Sequence, residues 1–194
     1  MNQIRAFIAV DLPPIIQDSL EKQTAHLRQT LGNGLVRWVP PRNLHLTLRF
    51  IGDIPPTHLD FFKQMLTKTA DSHRPFDLQI GGIGSFPNLK RPRVLWVGLH
   101  APEDLSSLQR QIETGTVQLG FEKEDKPFSP HLTIGRVRQT TTPADIAKIR
   151  TALEETQLGR IGTARIDSVH LYQSELHSEG SVYKKLFSAP LRAH

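Results

Sequence analysis

The sequence predicts an α+β fold, one unit over residues 1–194 made of two similar lobes, on three observations. Segments of strand period and of helix period intermix along the whole chain. No Ser/Gly linker or low-complexity tract divides it. One tetrapeptide pattern occurs twice, 86 residues apart in a chain of 194, each copy followed by a glycine and then by a helix that proline helps to start.

The elements follow in order. Residues 5–11 read as a buried strand carrying Phe7, Ile8 and Val10. Asp11 then reads as an N-cap, with Pro13 and Pro14 in the first turn of a helix that carries Ile15, Ile16, Leu20 and Leu27. Gly32 and Gly34 close that helix, and residues 35–39 form a short strand. Residues 44–51 alternate in strand fashion up to Gly52-Asp53. Pro55-Pro56 opens a helix with Leu59, Phe62, Met65 and Leu66. A strand at 76–80 runs into a turn at Gly81-Gly82-Ile83-Gly84, and Val94 to Val97 form the next strand. Pro102 starts a helix with Leu105, Leu108, Ile112 and Leu119, stopped by Gly120, and Glu122 to Lys126 form a loop. Residues 131–138 are a strand. Thr142-Pro143 caps a helix carrying Ile146, Ile149 and Leu153, which Gly159 ends. Strands at 161–172 and 181–188 complete the chain.

Composition narrows the function classes. With 24 Lys+Arg against 19 Asp+Glu, the net charge of +5 suits an anionic partner such as RNA or a phosphorylated metabolite, without choosing between them. The chain has no Cys, which excludes disulfides, thiolate metal sites and a cysteine nucleophile. No apolar run approaches the 18 residues or so of a membrane span, and the N-terminal apolar run is too short for a secretion signal. The expected address is the cytoplasm.

The repeated pattern is His45-Leu46-Thr47-Leu48 and His131-Leu132-Thr133-Ile134. At this composition a bare His-x-Thr triplet is expected roughly 0.7 times by chance, and the full tetrad about 0.02 times. One triplet is therefore most simply an inert pair on a polar strand face. Two tetrads argue for chemistry. In a strand, residues i and i+2 share a face, so each tetrad presents an imidazole and a hydroxyl on one side. The same alternation sends Leu46, Leu48 and Phe50, and Leu132 and Ile134, to the core. Two imidazoles with ordinary pKa values near 6.5 can hold opposite protonation states at neutral pH. That pair suits displacement at a phosphodiester, where one group takes a proton from the nucleophile and the other gives one to the leaving oxygen. No His-x-x-x-His, His-x-His or Cys accompanies them, so no metal and no cofactor is expected.

Around these tetrads the chain resembles the two-histidine phosphoesterase superfamily. Within it, the chain is similar to the bacterial and archaeal RNA 2′,3′-cyclic phosphodiesterases, also called 2′–5′ RNA ligases. The resemblance runs through Arg5 to Ala9, Leu44 to Gly52, Arg93 to Gly98, Phe128 to Arg136, Leu171 to Ser174, Gly180 and Tyr183. It implies antiparallel sheets lining a central groove with helices outside. It also implies metal-free hydrolysis of an RNA 3′-terminal cyclic phosphate to a 2′-phosphate. By the resemblance His45 is the proton donor, His131 the base, and Thr47, Thr133 and Arg136 hold the phosphate. Partners would be RNA ends such as those of tRNA fragments, with no membrane and a monomer favoured. Two rivals stand beside this reading. One is a relative acting on 2′–5′ oligonucleotides or a cyclic nucleotide metabolite; the other is a non-catalytic RNA-end-binding module.

Strict alternation puts Arg136 on the face opposite His131, unless Gly135 hosts a bulge that re-aims it. It puts Arg49 on the His45 face, as a second candidate for the phosphate. Lys90-Arg91-Pro92-Arg93 is a basic loop able to meet RNA phosphates. Trp96 and Phe7 read as core.

Overall fold

Two antiparallel sheets with helices on their outer sides make up the structure, a computed structural model that describes residues 3–177 and 180–192. The elements are β1 (Ile4–Asp11), α1 (Pro14–Leu35), β2 (Val36–Trp38), β3 (His45–Ile54), α2 (Leu59–Asp71), β4 (Phe76–Phe86) and β5 (Val94–His100). They continue with α3 (Glu103–Gln118), β6 (His131–Val137), α4 (Pro143–Glu155), β7 (Arg160–Ile166), β8 (Ser168–His177) and β9 (Gly180–Pro190). The first sheet has the order β3-β1-β8-β9 and the second β2-β6-β5-β4-β7. Every pairing within them is antiparallel.

The lobes are interleaved in sequence. The strands from β1 to β8 pass between the sheets four times. The helices cross as well: α1 follows β1 of the first sheet and packs on β2 and β7 of the second, while α3 follows β5 of the second sheet and packs on β3 of the first. Each helix buries an apolar stripe at helical spacing, Ile16, Leu20, Leu27 and Leu31 on α1 and Leu105, Leu108 and Ile112 on α3. Burying each such side chain contributes about 1.5–3 kcal/mol. β3 and β6, which carry the two tetrads, are the strands through which the sheets approach one another.

Most elements fall where the sequence places them, and α4 carries the capping box that Thr142 announces: its hydroxyl accepts from the Asp145 N–H at 3.2 Å and Asp145 accepts from the Thr142 N–H at 2.8 Å. Three readings are corrected. The Gly81–Gly84 segment is not a turn but the middle of β4, which bulges between Ile80 and Ile83; Gly82 takes φ 78°, a backbone that L side chains rarely adopt. The strand expected at 161–172 breaks at Asp167 into β7 and β8, one in each sheet. Asp11 does not cap α1, whose N-cap is Pro13; its carboxylate accepts from Tyr172 and Lys185 instead.

Candidate active site

His45 and Thr47 pair with Asp11 and Ala9 of β1, and His131 and Thr133 pair with Gly98 and Trp96 of β5. All four tetrad side chains are half-buried on the groove face, while Leu46, Leu48, Leu132 and Ile134 are buried on the opposite side. Each imidazole is fixed in the same way. His45 Nδ1 lies 2.7 Å from the Asn43 carbonyl oxygen, and His131 Nδ1 lies 2.7 Å from that of Ser129. A carbonyl only accepts, so this contact assigns the proton to Nδ1 in both rings. Each ring then keeps Nε2 as its acceptor nitrogen.

Both tetrad strands bulge at the same point. In β3, Thr47 and Arg49 face the consecutive residues Ala9 and Ile8, so Leu48 is the extra residue. In β6, Thr133 and Gly135 face Trp96 and Leu95, so Ile134 is the extra residue. A bulge resets the alternation. Arg136 pairs with Val94, two residues from Trp96, and so stands on the same face as Thr133, exposed. Its other neighbour is Arg37 of β2, also exposed, a second cation on this face that sequence reasoning did not single out.

The bulge at Leu48 overturns two expectations. Phe50 is 44% exposed rather than in the core, with the Arg5 guanidinium 5.0 Å over its ring. Arg49 is not in the groove. It is buried on the helix side, 3.3 Å from Glu113 and 3.2 Å from Glu124, and it donates to the Glu122 carbonyl. It ties β3 to α3 and the following loop. Trp96 is also misplaced by the sequence reading. It is half-buried on the His131 face, whereas Phe7 is core, 3% exposed.

The two histidines sit in different surroundings. His45 is enclosed by Phe7 and Tyr183, each with ring centroids about 5.0 Å away, and Tyr172 at 6.4 Å. Burial holds its pKa below the ordinary value; the Asn43 carbonyl and the Asp11 charge push back without cancelling it. Asp11 accepts from Tyr172 Oη at 2.6 Å and Lys185 Nζ at 2.7 Å, and the buried His170 Nε2 lies 3.5 Å away. Burial raises the Asp11 pKa, but the bonds from Lys185 and Tyr172 and the nearby His170 outweigh it, so the carboxyl stays below its usual range. Tyr172 is pushed up by burial and by Asp11. His131 meets the edge of Phe86 at 4.8 Å, in a more open wall with the exposed Arg136 beyond it.

Among the described residues no cluster of three or more His, Cys, Asp or Glu side chains has the geometry of a metal site, and no helix is long and apolar enough to cross a membrane. The neighbouring strands β3 and β6 thus each present an imidazole and a hydroxyl on one face, with the Arg136 guanidinium on the face of Thr133, residue types suited to acid–base chemistry on an anionic phosphoester.

Comparison with known proteins places the chain in a family. The chain is 35% identical over 181 residues to the RNA 2′,3′-cyclic phosphodiesterase of Methanothermobacter thermautotrophicus, covering 93% of this chain and 95% of that one. It is 34% identical over 184 residues to the enzyme of the same name from Archaeoglobus fulgidus, covering 94% and 98%. The crystal structure of TT0787 of Thermus thermophilus superposes with a TM-score of 0.81 at 28% identity, covering 97% of this chain and 98% of that one. LigT of E. coli, complexed with 3′-AMP, shares the fold with a TM-score of 0.75 at 23% identity, covering 99% and 100%. Residues 16–177 match the model of the 2′-5′ RNA ligase superfamily, and the chain belongs to that family.

Proposed function

We propose that the protein is a metal-independent RNA 2′,3′-cyclic phosphodiesterase that opens a 3′-terminal cyclic phosphate to a 2′-phosphomonoester. The observation that carries this reading is the duplicated tetrad on two equally bulged strands, with both Nδ1 atoms held by the carbonyl two residues upstream. Relatives of the same length that carry the phosphodiesterase name supply the substrate class.

The step is an in-line displacement. Water attacks phosphorus as His131 Nε2 takes its proton. The bond from phosphorus to O3′ breaks on the far side, and O3′ takes a proton from His45 Nε2. Thr47, Thr133 and Arg136 donate to the non-bridging oxygens as charge grows there. Burial disfavours the charged form of the His45 ring. An anionic phosphate in the groove favours the imidazolium, and a ring whose pKa burial has lowered gives its proton up readily. With a 5′-hydroxyl in place of water the same step, His131 taking its proton and O3′ again taking one from His45, opens the cyclic phosphate to a 2′–5′ linkage, the activity that names the superfamily. In this reading the whole chain is one catalytic unit. It works as a monomer in the cytoplasm on RNA ends such as those of tRNA fragments.

The test is turnover of an oligonucleotide ending in a 2′,3′-cyclic phosphate, with the product identified by phosphorus NMR. A 2′-phosphate is expected, and activity should persist after exhaustive chelation. A 3′-phosphate product would reverse the acid and base assignments. Activity lost to chelator and restored by Mg²⁺, Mn²⁺ or Zn²⁺ would remove the metal-free mechanism. Binding of the RNA end with no turnover would make the chain a recognition module.

A further inference from the structure

A second feature of the His131 lobe is not used by the reaction. Gly84 of β4, Trp96 of β5 and Thr133 of β6 are directly paired neighbours, one row running across three strands on the groove face. The indole of Trp96 lies over Gly84, where an added Cβ would come within 2.4 Å of the ring; only glycine lets the ring lie there. Beyond it opens a cleft of ≈ 620 Å³ lined by Gly84, Ser85, Asn88, Leu89, Lys90 and Trp96. Trp96 Nε1 is buried and meets no acceptor in the protein. None of the six lining residues is acidic.

The rim of this cleft is built. The Asn88 side-chain oxygen accepts from the backbone N–H groups of Lys90 at 3.0 Å and of Arg91 at 3.1 Å, a turn that leaves both basic side chains exposed. Neighbouring strands lie about 4.8 Å apart, so the indole begins one strand, and the cleft two strands, from the Thr133 hydroxyl. That is the reach of a nucleoside attached to a phosphate held at Thr133. A flat aromatic face is sequence-tolerant toward bases, and a lysine beside it takes a backbone phosphate.

We propose that Trp96 and Lys90 form a nucleotide subsite: the base of the nucleotide bearing the cyclic phosphate stacks on the indole, and the phosphodiester on its 5′ side lies against Lys90. The proposal rests on the phosphodiesterase reading for the position of the reacting phosphate. It makes the His131 wall the side that recognises the RNA, and the enclosed His45 wall the side that delivers the proton.

The experiment compares ends differing in one part at a time. The substrates are an RNA ending in a base-bearing cyclic phosphate, the same RNA with an abasic terminal ribose cyclic phosphate, and a nucleoside 2′,3′-cyclic phosphate that lacks the 5′ phosphodiester. Stacking of one base predicts that wild type prefers the base-bearing over the abasic end by about 5- to 150-fold in kcat/KM, and that Trp96→Leu collapses this ratio toward one. Trp96→Phe should restore part of it. Lys90→Gln should lower the preference for the RNA over the nucleoside cyclic phosphate and flatten its salt dependence. These ratios do not depend on the fraction of folded enzyme. A preference kept at its wild-type value in Trp96→Leu, or absent in wild type, overturns the subsite while the phosphodiesterase reading stands. Should wild type turn over no cyclic phosphate, that reading fails, and the subsite is read from Trp96 fluorescence in Trp38→Phe protein. Quenching by a nucleoside 5′-phosphate but not by ribose 5-phosphate supports it, and equal response to both overturns it.

Discussion

The two tetrad strands are alike in backbone and unlike in side chains. β3 and β6 each hold a histidine by the carbonyl two residues upstream at 2.7 Å, each pair their threonine to the neighbouring strand, and each bulge at the next residue, Leu48 or Ile134. After the bulge they part. β3 places Arg49 in the core-side ion pairs and Phe50 toward the groove, whereas β6 places the small Gly135 against Val36 and Trp38 and Arg136 toward the groove. Opposite the histidines stand Asp11 on one side and Gly98 on the other. The backbone device that aims a histidine is duplicated. The surroundings are not: rings and the Asp11 network enclose His45, while exposed Arg136 and Arg37 stand on the His131 side.

The sharpest way to break this comparison is to remove either imidazole. Each general acid or base contributes typically about 10²–10⁴-fold. His45→Ala and His131→Ala should each lower kcat by about that factor, and the double variant should fall far short of the product of the two losses because the pair acts as a unit. A bell-shaped pH–rate profile should lose one limb in each single variant. Near-wild-type turnover in either one would leave the duplicated device without a catalytic role.

The groups proposed to hold the phosphate come next. Thr47→Val, Thr133→Val and Arg136→Gln should each reduce kcat by about 10²-fold and raise KM much less, since their bonds strengthen as charge builds on the phosphoryl oxygens. Steady-state kinetics separates the two parameters. A rise in KM alone would mean that these groups bind ground state and transition state equally.

Arg49 and Arg136 sharpen the contrast between the halves, because strand parity alone exchanges them. Arg49→Met leaves Glu113, itself 13% exposed, without its partner at 3.3 Å. Breaking a buried pair on one side costs about 3–5 kcal/mol, so this variant should show a clear drop in the urea midpoint, with catalysis by the folded fraction little altered. Arg136→Gln should do the opposite, losing turnover with little change in the midpoint. Equal stability losses would place both arginines in structural roles.

How much of this the sequence shows depends on where period-two reasoning holds. The tetrads are legible because four residues of a strand are too few to lose register. Gly135 flags the bulge that brings Arg136 round. At Leu48 nothing does: Leu-Thr-Leu-Arg-Phe alternates as a regular strand would, so its period sends Phe50 to the core and Arg49 to the His45 face, the reverse of what the structure shows. Gly81-Gly82 signals a turn or a bulge equally, and only pairing with β5 and β7 decides for the bulge. Trp96 reads as core because Val-Leu-Trp-Val is a continuous apolar run, although its strand has one face on the groove. Asp11, next to two prolines, resembles a helix cap, and its bonds to Tyr172 and Lys185 span more than 160 residues of sequence.

The smallest effect is electrostatic and belongs to the His45 half. His45 and His170 both have pKa values lowered by burial; for His45 the Asn43 carbonyl and Asp11 oppose this, and for His170 Asp11 and Asp167 do. An unfolded imidazole titrates near 6.5. Below that value the unfolded chain takes up protons that the folded rings resist, so stability rises with pH across this window. The contribution is fully present above about pH 6.5, is lost as pH falls toward the lowered folded values, and levels off below them. Asp11, also lowered, adds a second loss in the carboxylate range as acidification continues. Urea midpoints taken from pH 8 to pH 5 should therefore decline, and His170→Gln should flatten the decline between pH 7 and 5 without touching the tetrads. Inorganic phosphate should counter it, since an anion at His45 favours the imidazolium: the midpoint gained per millimolar phosphate should be larger at pH 6 than at pH 8. A phosphate effect that grows with pH instead would show that the anion does not meet a proton taken up at His45, and the two halves would then not differ as donor and holder.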